Sequence, residues 1–362
     1  MSYPRVEVDL NKLKHNTESL VKECNEQKIK VAGVTKVFCA HPEIAKAYVD
    51  AGVDYIADSR IENLIKLKDI KIPKILLRLP MISEVEKVVD YADISLNSEL
   101  QAIKALSNAA KQKNKKHSII LMVDLGDLRE GYFKEEELYS AIEEILKLEG
   151  INIVGIGTNL TCYGGIVPRE ENLGRLINIK NIIEEKYNIK LDILSGGNSS
   201  SLHLIFDKKM PEGINNVRLG ESLVLGRETA FGNDIEGLYD DIFTLSVEVI
   251  ELKEKPSVPI GEIGMDAFGN VPTFTDRGIR KRMICAIGKQ DVDLENITPL
   301  DEDIIILGGS SDHLLLDVTD SKIEYNIGDV VKFKLSYGGI LSTMTSEYVD
   351  KEINWWGGHF VY

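Results

Sequence analysis

The chain has 362 residues, 43% hydrophobic and 28% charged, without a low-complexity tract, as expected of a globular protein with one large domain and a smaller one. Its net charge of −15 argues against nucleic-acid binding, which needs a positive surface, and is compatible with drawing in cationic substrates. No apolar stretch approaches the roughly 20 residues of a membrane helix, and the opening Met1-Ser2-Tyr3-Pro4-Arg5-Val6-Glu7 has no signal-peptide core, so a cytoplasmic location away from membranes is expected. Cys24, Cys39, Cys162 and Cys285 lie far apart with no metal-ligand spacing, which predicts reduced thiols and no metal site.

In chain order, short apolar runs predict strands at 31–37, 55–59, 74–80, 93–97, 118–124, 152–158, 191–195 and 216–220. Between them lie charge-rich segments such as 135–149 and 169–188, whose apolar residues recur every three or four positions, as in amphipathic helices. Eight strands alternating with helices predict an α/β architecture, a (β/α)8 barrel in preference to an open doubly wound sheet. After about residue 232 the texture changes. Runs at 243–252, 258–263, 283–287, 304–307, 314–318 and 330–335 are separated by Gly, Pro and Asp, and long helical patterns are missing. This predicts a smaller all-β domain, with a boundary in 232–237: a barrel domain over 1–232 and a β domain over 233–362.

Lys36 closes the first run, Val31-Ala32-Gly33-Val34-Thr35-Lys36. An ammonium group at the tip of a buried strand is costly unless an amine is needed there; the alternative is a lysine that snorkels to the surface. In such a barrel the working residues sit on the loops after the strands. The loop after the fifth run, 124–131, has two glycines that permit close backbone approach and Arg129, which either reaches inward or pairs with a neighbouring carboxylate. Asn159 follows the sixth run. The loop after the seventh, Ser195-Gly196-Gly197-Asn198-Ser199-Ser200-Ser201, suits an anion cradle or a plain helix cap. After the eighth come Arg218, Gly220 and Glu221, and barrels often bind phosphate at these last two loops. A strand-end lysine with two phosphate-type loops fits Schiff-base chemistry on pyridoxal 5'-phosphate (PLP).

These segments resemble, in order, those of the alanine-racemase-like PLP enzymes of fold type III. The match runs through Val8-Asp9-Leu10 with His15-Asn16, Val34-Thr35-Lys36, Asp124-x-Gly126-x-x-Arg129-x-Gly131, Asn198-Ser199 and Arg218-x-Gly220. The resemblance implies a PLP-dependent amino-acid racemase. Lys36 would carry the cofactor and act as one acid/base catalyst, and Arg129 would face the cofactor's phenolic oxygen or the substrate carboxylate. Arg218 would meet the pyridine nitrogen, and Asn159, Asn198, Ser199, Gly220, Glu221 and Tyr348 would complete the cofactor site. It also implies a homodimer with its active site at the interface, and the similarity is strongest to a branch acting on ornithine.

Three departures stand out. Ala40 and Asn159 occupy places where a tyrosine and a histidine are expected, and Ile263-Gly264-Met265-Asp266-Ala267-Phe268-Gly269 lacks the family's second catalytic tyrosine. Asp312 and His313 are the favoured substitutes for that second base, with Asp291, Tyr337 and Tyr348 as further candidates; a turn capped by Asp312 is the plainer reading. Asp266, Asp291 or Asp312 would bind the distal ammonium of ornithine. A non-catalytic PLP carrier and a phosphate-binding barrel without PLP are the rival functions; the β domain favours an enzyme.

Overall fold

The computed structural model describes residues 2–265 and 268–355. The strands, in chain order, are β1 (Arg5–Asp9), β2 (Lys30–Val34), β3 (Tyr55–Asp58), β4 (Lys74–Leu76), β5 (Ile94–Asn97), β6 (His117–Met122), β7 (Ile151–Gly157), β8 (Ile193–Asn198) and β9 (Asn216–Leu219), then β10 (Phe243–Pro256), β11 (Ile279–Cys285), β12 (Ile297–Pro299), β13 (Ile305–Gly309), β14 (Leu314–Asp317), β15 (Val330–Leu335) and β16 (Asp350–Asn354). The chain forms two compact units, Leu10–Asp240 and Met1–Asp9 with Asp241–Tyr362.

In the first unit β2 to β9 close a parallel barrel, sealed where Lys30 pairs with Asn216 and Gly33 with Leu219. The expected eight strands are all present. Alternate residues point inward, so Ala32, Val34, Ala57, Ile75, Ile94, Leu96, Ile120, Met122 and Ile193 fill the barrel as one apolar cluster. The helices face it with apolar stripes. Helix Glu135–Ile145 opens with three glutamates at its positive end and buries Leu138, Ala141, Ile142 and Ile145.

The second unit is a sheet ordered β12-β15-β10-β11-β14-β13, with β1 paired to both β10 and β16. Its boundaries differ from the expected 1–232 and 233–362. Residues up to 240 stay with the barrel unit because buried Asn16 clamps them: its Nδ2 donates to Tyr239 O (2.7 Å) and its Oδ1 accepts from Tyr239 N (2.8 Å). Conversely β1 joins the second sheet, antiparallel to β10 and parallel to β16. That pairing hides Val6 and Val8 completely, worth about 1.5 kcal/mol or more each.

Two further differences have local causes. The expected strand at 258–263 is absent; β10 runs instead to Pro256, and no strand or helix occurs among the described residues until β11. The sheet unit also carries a helix, Tyr337–Thr345, whose glycine pair and β-branched residues hide its helical signal; Ser336 Oγ caps it by accepting from Gly339 N. Among the described residues no helix is long and apolar enough to cross a membrane, and no cluster of His, Cys, Asp and Glu could hold a metal ion.

Candidate active site

The C-terminal ends of the barrel strands gather the residues that matter. β2 stops at Val34, short of the expected strand end at 37, because Thr35 is drawn into the barrel wall. Its amide donates to Ala57 O (2.9 Å) and its hydroxyl to Asp58 Oδ2 (2.6 Å). Lys36 therefore opens a 3₁₀ turn, Lys36–Phe38, that ends with Cys39 and Ala40 at φ 51° and 52°. Asp58 is fully buried and also accepts from Arg60 N (2.8 Å) and Asn63 Nδ2 (3.1 Å). Burial pushes its carboxyl up, opposed by those hydrogen bonds and by the nearby Lys36 charge. Asp58 thus ties Thr35, next to the lysine turn, to Arg60 and Asn63. Its only sequence signal was its place at the end of a strand.

Across the barrel seam, Arg218 is 4% exposed. Its Nη1 donates to Ser195 Oγ (2.5 Å), and its Nη2 to Thr158 O (2.8 Å) and Asn159 Oδ1 (3.3 Å), so strands β7, β8 and β9 together hold the guanidinium flat. Burial lowers its pKa to about 10, with Glu130 pulling the other way, and it remains a cation at neutral pH. Asn198 Nδ2 donates to Asn159 Oδ1 (3.0 Å) and Leu160 O (2.9 Å), while its Oδ1 accepts from Ser200 N (2.8 Å). Ser199 Oγ accepts from Gly220 N (3.4 Å) and Ser222 N (3.3 Å) and bonds Ser222 Oγ (2.9 Å), which ties the loops after β8 and β9 into one cluster. Gly197 is held at φ 110°, and a Cβ on Gly220 would lie 3.2 Å from Val34. Glu221 pairs with Arg227 (2.5 Å).

Arg129 lies in the loop after β6, half-exposed, with Nε and Nη2 donating to the carboxylate of Glu130. The sequence left open whether it reaches inward or pairs with a neighbouring acid, and here it pairs. Asp127, by contrast, is 1% exposed and accepts from the amides of Cys162, Tyr163 (2.9 Å) and Ile166 (3.1 Å), so it staples the loop after β7. Burial would lift its carboxyl, but these amides outweigh it and hold it below the usual value. Cys162 Sγ accepts from Asn159 Nδ2 (2.8 Å), which brings an exposed thiol to the same cluster.

A phosphate-bearing aromatic cofactor fits this ground. Small residues line two joined loops, a buried cation stands beside them, and Thr158 Oγ1 is buried with no hydrogen-bond partner within the described residues. Lys36 follows, two residues on, the strand paired with that of Arg218.

A model of the alanine racemase N-terminal domain matches residues 8–228. This chain belongs to the alanine racemase family. It is accordingly a PLP-dependent amino-acid racemase, an isomerase. It is 55% identical over 351 residues to the ornithine racemase of Acetoanaerobium sticklandii, covering 97% of this chain and 99% of that one. The lysine racemase of Thermotoga maritima is 41% identical over 353 residues, with 97% and 98% covered. Among solved structures, the alanine racemase of Bartonella henselae with covalently bound pyridoxal phosphate superposes with a TM-score of 0.74 at 18% identity, covering 98% of this chain and all of that one.

The remaining residues singled out for the racemase lie in the sheet unit. Asp312 and His313 form the turn between β13 and β14, where His313 Nδ1 and Asp312 Oδ1 are 2.8 Å apart. The hydrogen bond from His313, with Ser310 assisting, holds the Asp312 carboxyl below its usual range. Asp291 is 8% exposed and accepts from Ser346 Oγ (2.7 Å), and the side chain of Tyr348 is exposed. Tyr337 is the first residue of the helix Tyr337–Thr345. Asp266 lies outside the described residues.

Proposed function

We propose that this racemase interconverts L- and D-ornithine. The reading is carried by its 55% identity, over nearly the whole chain, to a protein named for that activity. The net charge of −15 is compatible with a substrate that carries a second, distal ammonium group.

Lys36 would hold the cofactor covalently. The joined loops at Asn198, Ser199 and Gly220 would receive its phosphate, with Asn159 and Glu221 completing the site, and Arg218 would stand against its ring nitrogen. When bound, PLP holds the substrate's amino group and spreads the electron pair left at Cα. Arg218 sets how strongly that happens: a guanidinium fixed by three acceptors stays charged and discourages a proton on the ring nitrogen, which favours returning the Cα proton over side reactions. Lys36 Nζ takes and returns the proton on one face of Cα. The Asp312–His313 pair, contributed by the second subunit of a homodimer, serves the other face, and a carboxylate such as Asp291 binds the distal ammonium.

The test is incubation of PLP-loaded protein with L-ornithine, L-lysine and L-alanine in deuterated water, reading product chirality and mass. D-ornithine with one deuterium at Cα, formed faster than D-lysine or D-alanine, is the expected result. Faster inversion of lysine moves the substrate to that amino acid. Absence of both inversion and exchange overturns the activity.

A further inference from the structure

We propose that Glu130 is a positioning residue that holds Arg129 for the α-carboxylate of the amino-acid substrate, an inference that rests on the racemase reading above. The loop 124–131 has three carboxylates, and the fold spends two of them on backbone. Asp124 Oδ1 accepts from Gly126 N (2.8 Å) and Leu128 N (3.1 Å), which closes the loop on itself. Asp127 is spent on the amides of Cys162, Tyr163 and Ile166. Glu130 alone of the three turns its carboxylate on a guanidinium, taking Arg129 through Nε and through Nη2 (2.5 Å).

The geometry leaves Arg129 a use. A guanidinium presents one two-donor edge through Nε and one terminal nitrogen, and another through its two terminal nitrogens. Glu130 occupies the first edge. The second matches a carboxylate, and its direction is set by the first.

Glu130 is the less exposed member of the pair. Its side chain is 12% exposed against 46% for that of Arg129, so the anion is the sheltered member of the pair and the cation the one that faces outward. Gly131, next in the chain, sits at φ 121° with Asp124 N only 2.6 Å from where a Cβ would be, so the chain passes close against β6 directly after Glu130. Glu130 also acts on buried Arg218 as the opposing charge, which keeps two nearby guanidinium groups from repelling each other uncompensated. The same hydrogen bonds hold the Arg129 guanidinium more firmly charged than usual.

Calorimetric titration of the PLP-loaded protein with L-ornithine, L-lysine and L-alanine tests this, since it reads binding whether or not inversion follows. Glu130→Gln is expected to weaken all three by a common factor of about ten, the loss of one charge-assisted pair. PLP affinity of the apoprotein should change less than about threefold, and the melting temperature should stay within about 2 °C. Glu130→Asp should recover part of the loss. In an Arg129→Ala background, Glu130→Gln should add less than about a twofold change. Unchanged amino-acid affinity, a loss that persists without Arg129, or a joint fall of PLP affinity and melting temperature would each overturn the proposal. Failure of the ornithine reading shows separately, as a different rank order among the three amino acids with the unaltered protein.

Discussion

Replacing Arg218 separates the two opposing effects that set its energy. At neutral pH the fall of its pKa to about 10 corresponds to a burial penalty of about 3 kcal/mol. Against this stand charge-assisted hydrogen bonds to Ser195 Oγ and Thr158 O, about 1.5–3 kcal/mol each, and a longer one to Asn159 Oδ1. Arg218→Leu removes the penalty and the bonds together and leaves Thr158 O short of a donor, so the apoprotein should lose about 1–3 kcal/mol. Arg218→Lys keeps a charge in the same buried place but cannot span acceptors on two neighbouring strands, so it should lose more than the leucine variant. The assay is urea unfolding of the three apoproteins at pH 7.5. Above pH 10 the unaltered protein gains on the leucine variant: the folded arginine releases its proton while the unfolded one keeps it, and stability rises with pH wherever the unfolded chain binds more protons. A leucine variant as stable as the unaltered protein, or a lysine variant that outlasts the leucine one, would refute this balance.

His117 is 2% exposed with Nε2 at 2.8 Å from Ser95 Oγ, and burial lowers its pKa from 6.5 to about 4. The unfolded chain therefore takes up a proton between pH 6.5 and 4 that the folded one refuses, and His117→Gln should lose about 2 kcal/mol less than the unaltered protein between pH 7 and pH 5, read by urea unfolding at both. Cys162 is exposed, whereas burial pushes the thiols of Cys24 and Cys285 up to about 12. A brief maleimide pulse at pH 7 should modify Cys162 well before either of them; mass spectrometry showing comparable rates would contradict the burial pattern. Gly131→Ala should cost about 3 kcal/mol and weaken substrate binding through Arg129, because its Cβ meets backbone at 2.6 Å. Gly126→Ala, at φ 116° with nothing within 4 Å, should cost about 1–2 kcal/mol; equal thermal shifts in the two variants would remove the distinction.

The eight barrel strands, Lys36 at the end of the first and the glycine-rich loops after the seventh and eighth were legible in the sequence because each signal is local. Apolar runs mark buried strands, and glycines and hydroxyls mark turns that a backbone of that shape requires. The Lys36 turn was only half legible: Val-Thr-Lys-Val-Phe has strand propensity through Phe38, yet β2 ends at Val34 and the chain turns at Lys36, directly after Thr35 is tied by its hydroxyl to Asp58 on the next strand. Helix Tyr337–Thr345 was hidden because two glycines and β-branched residues carry no helical pattern, and β1 because five alternating residues fit any sheet edge. The charges divide in the same way. The sequence alone determined that acids and arginines crowd the strand ends. Only the closed barrel decided that Arg218 would meet Thr158 and Ser195 from two other strands, that Asp127 would staple a loop more than thirty residues away, and that Glu130 would be left for Arg129. Hydrogen bonds between residues so far apart in the chain depend on register and closure, and neither is written in any local stretch of sequence.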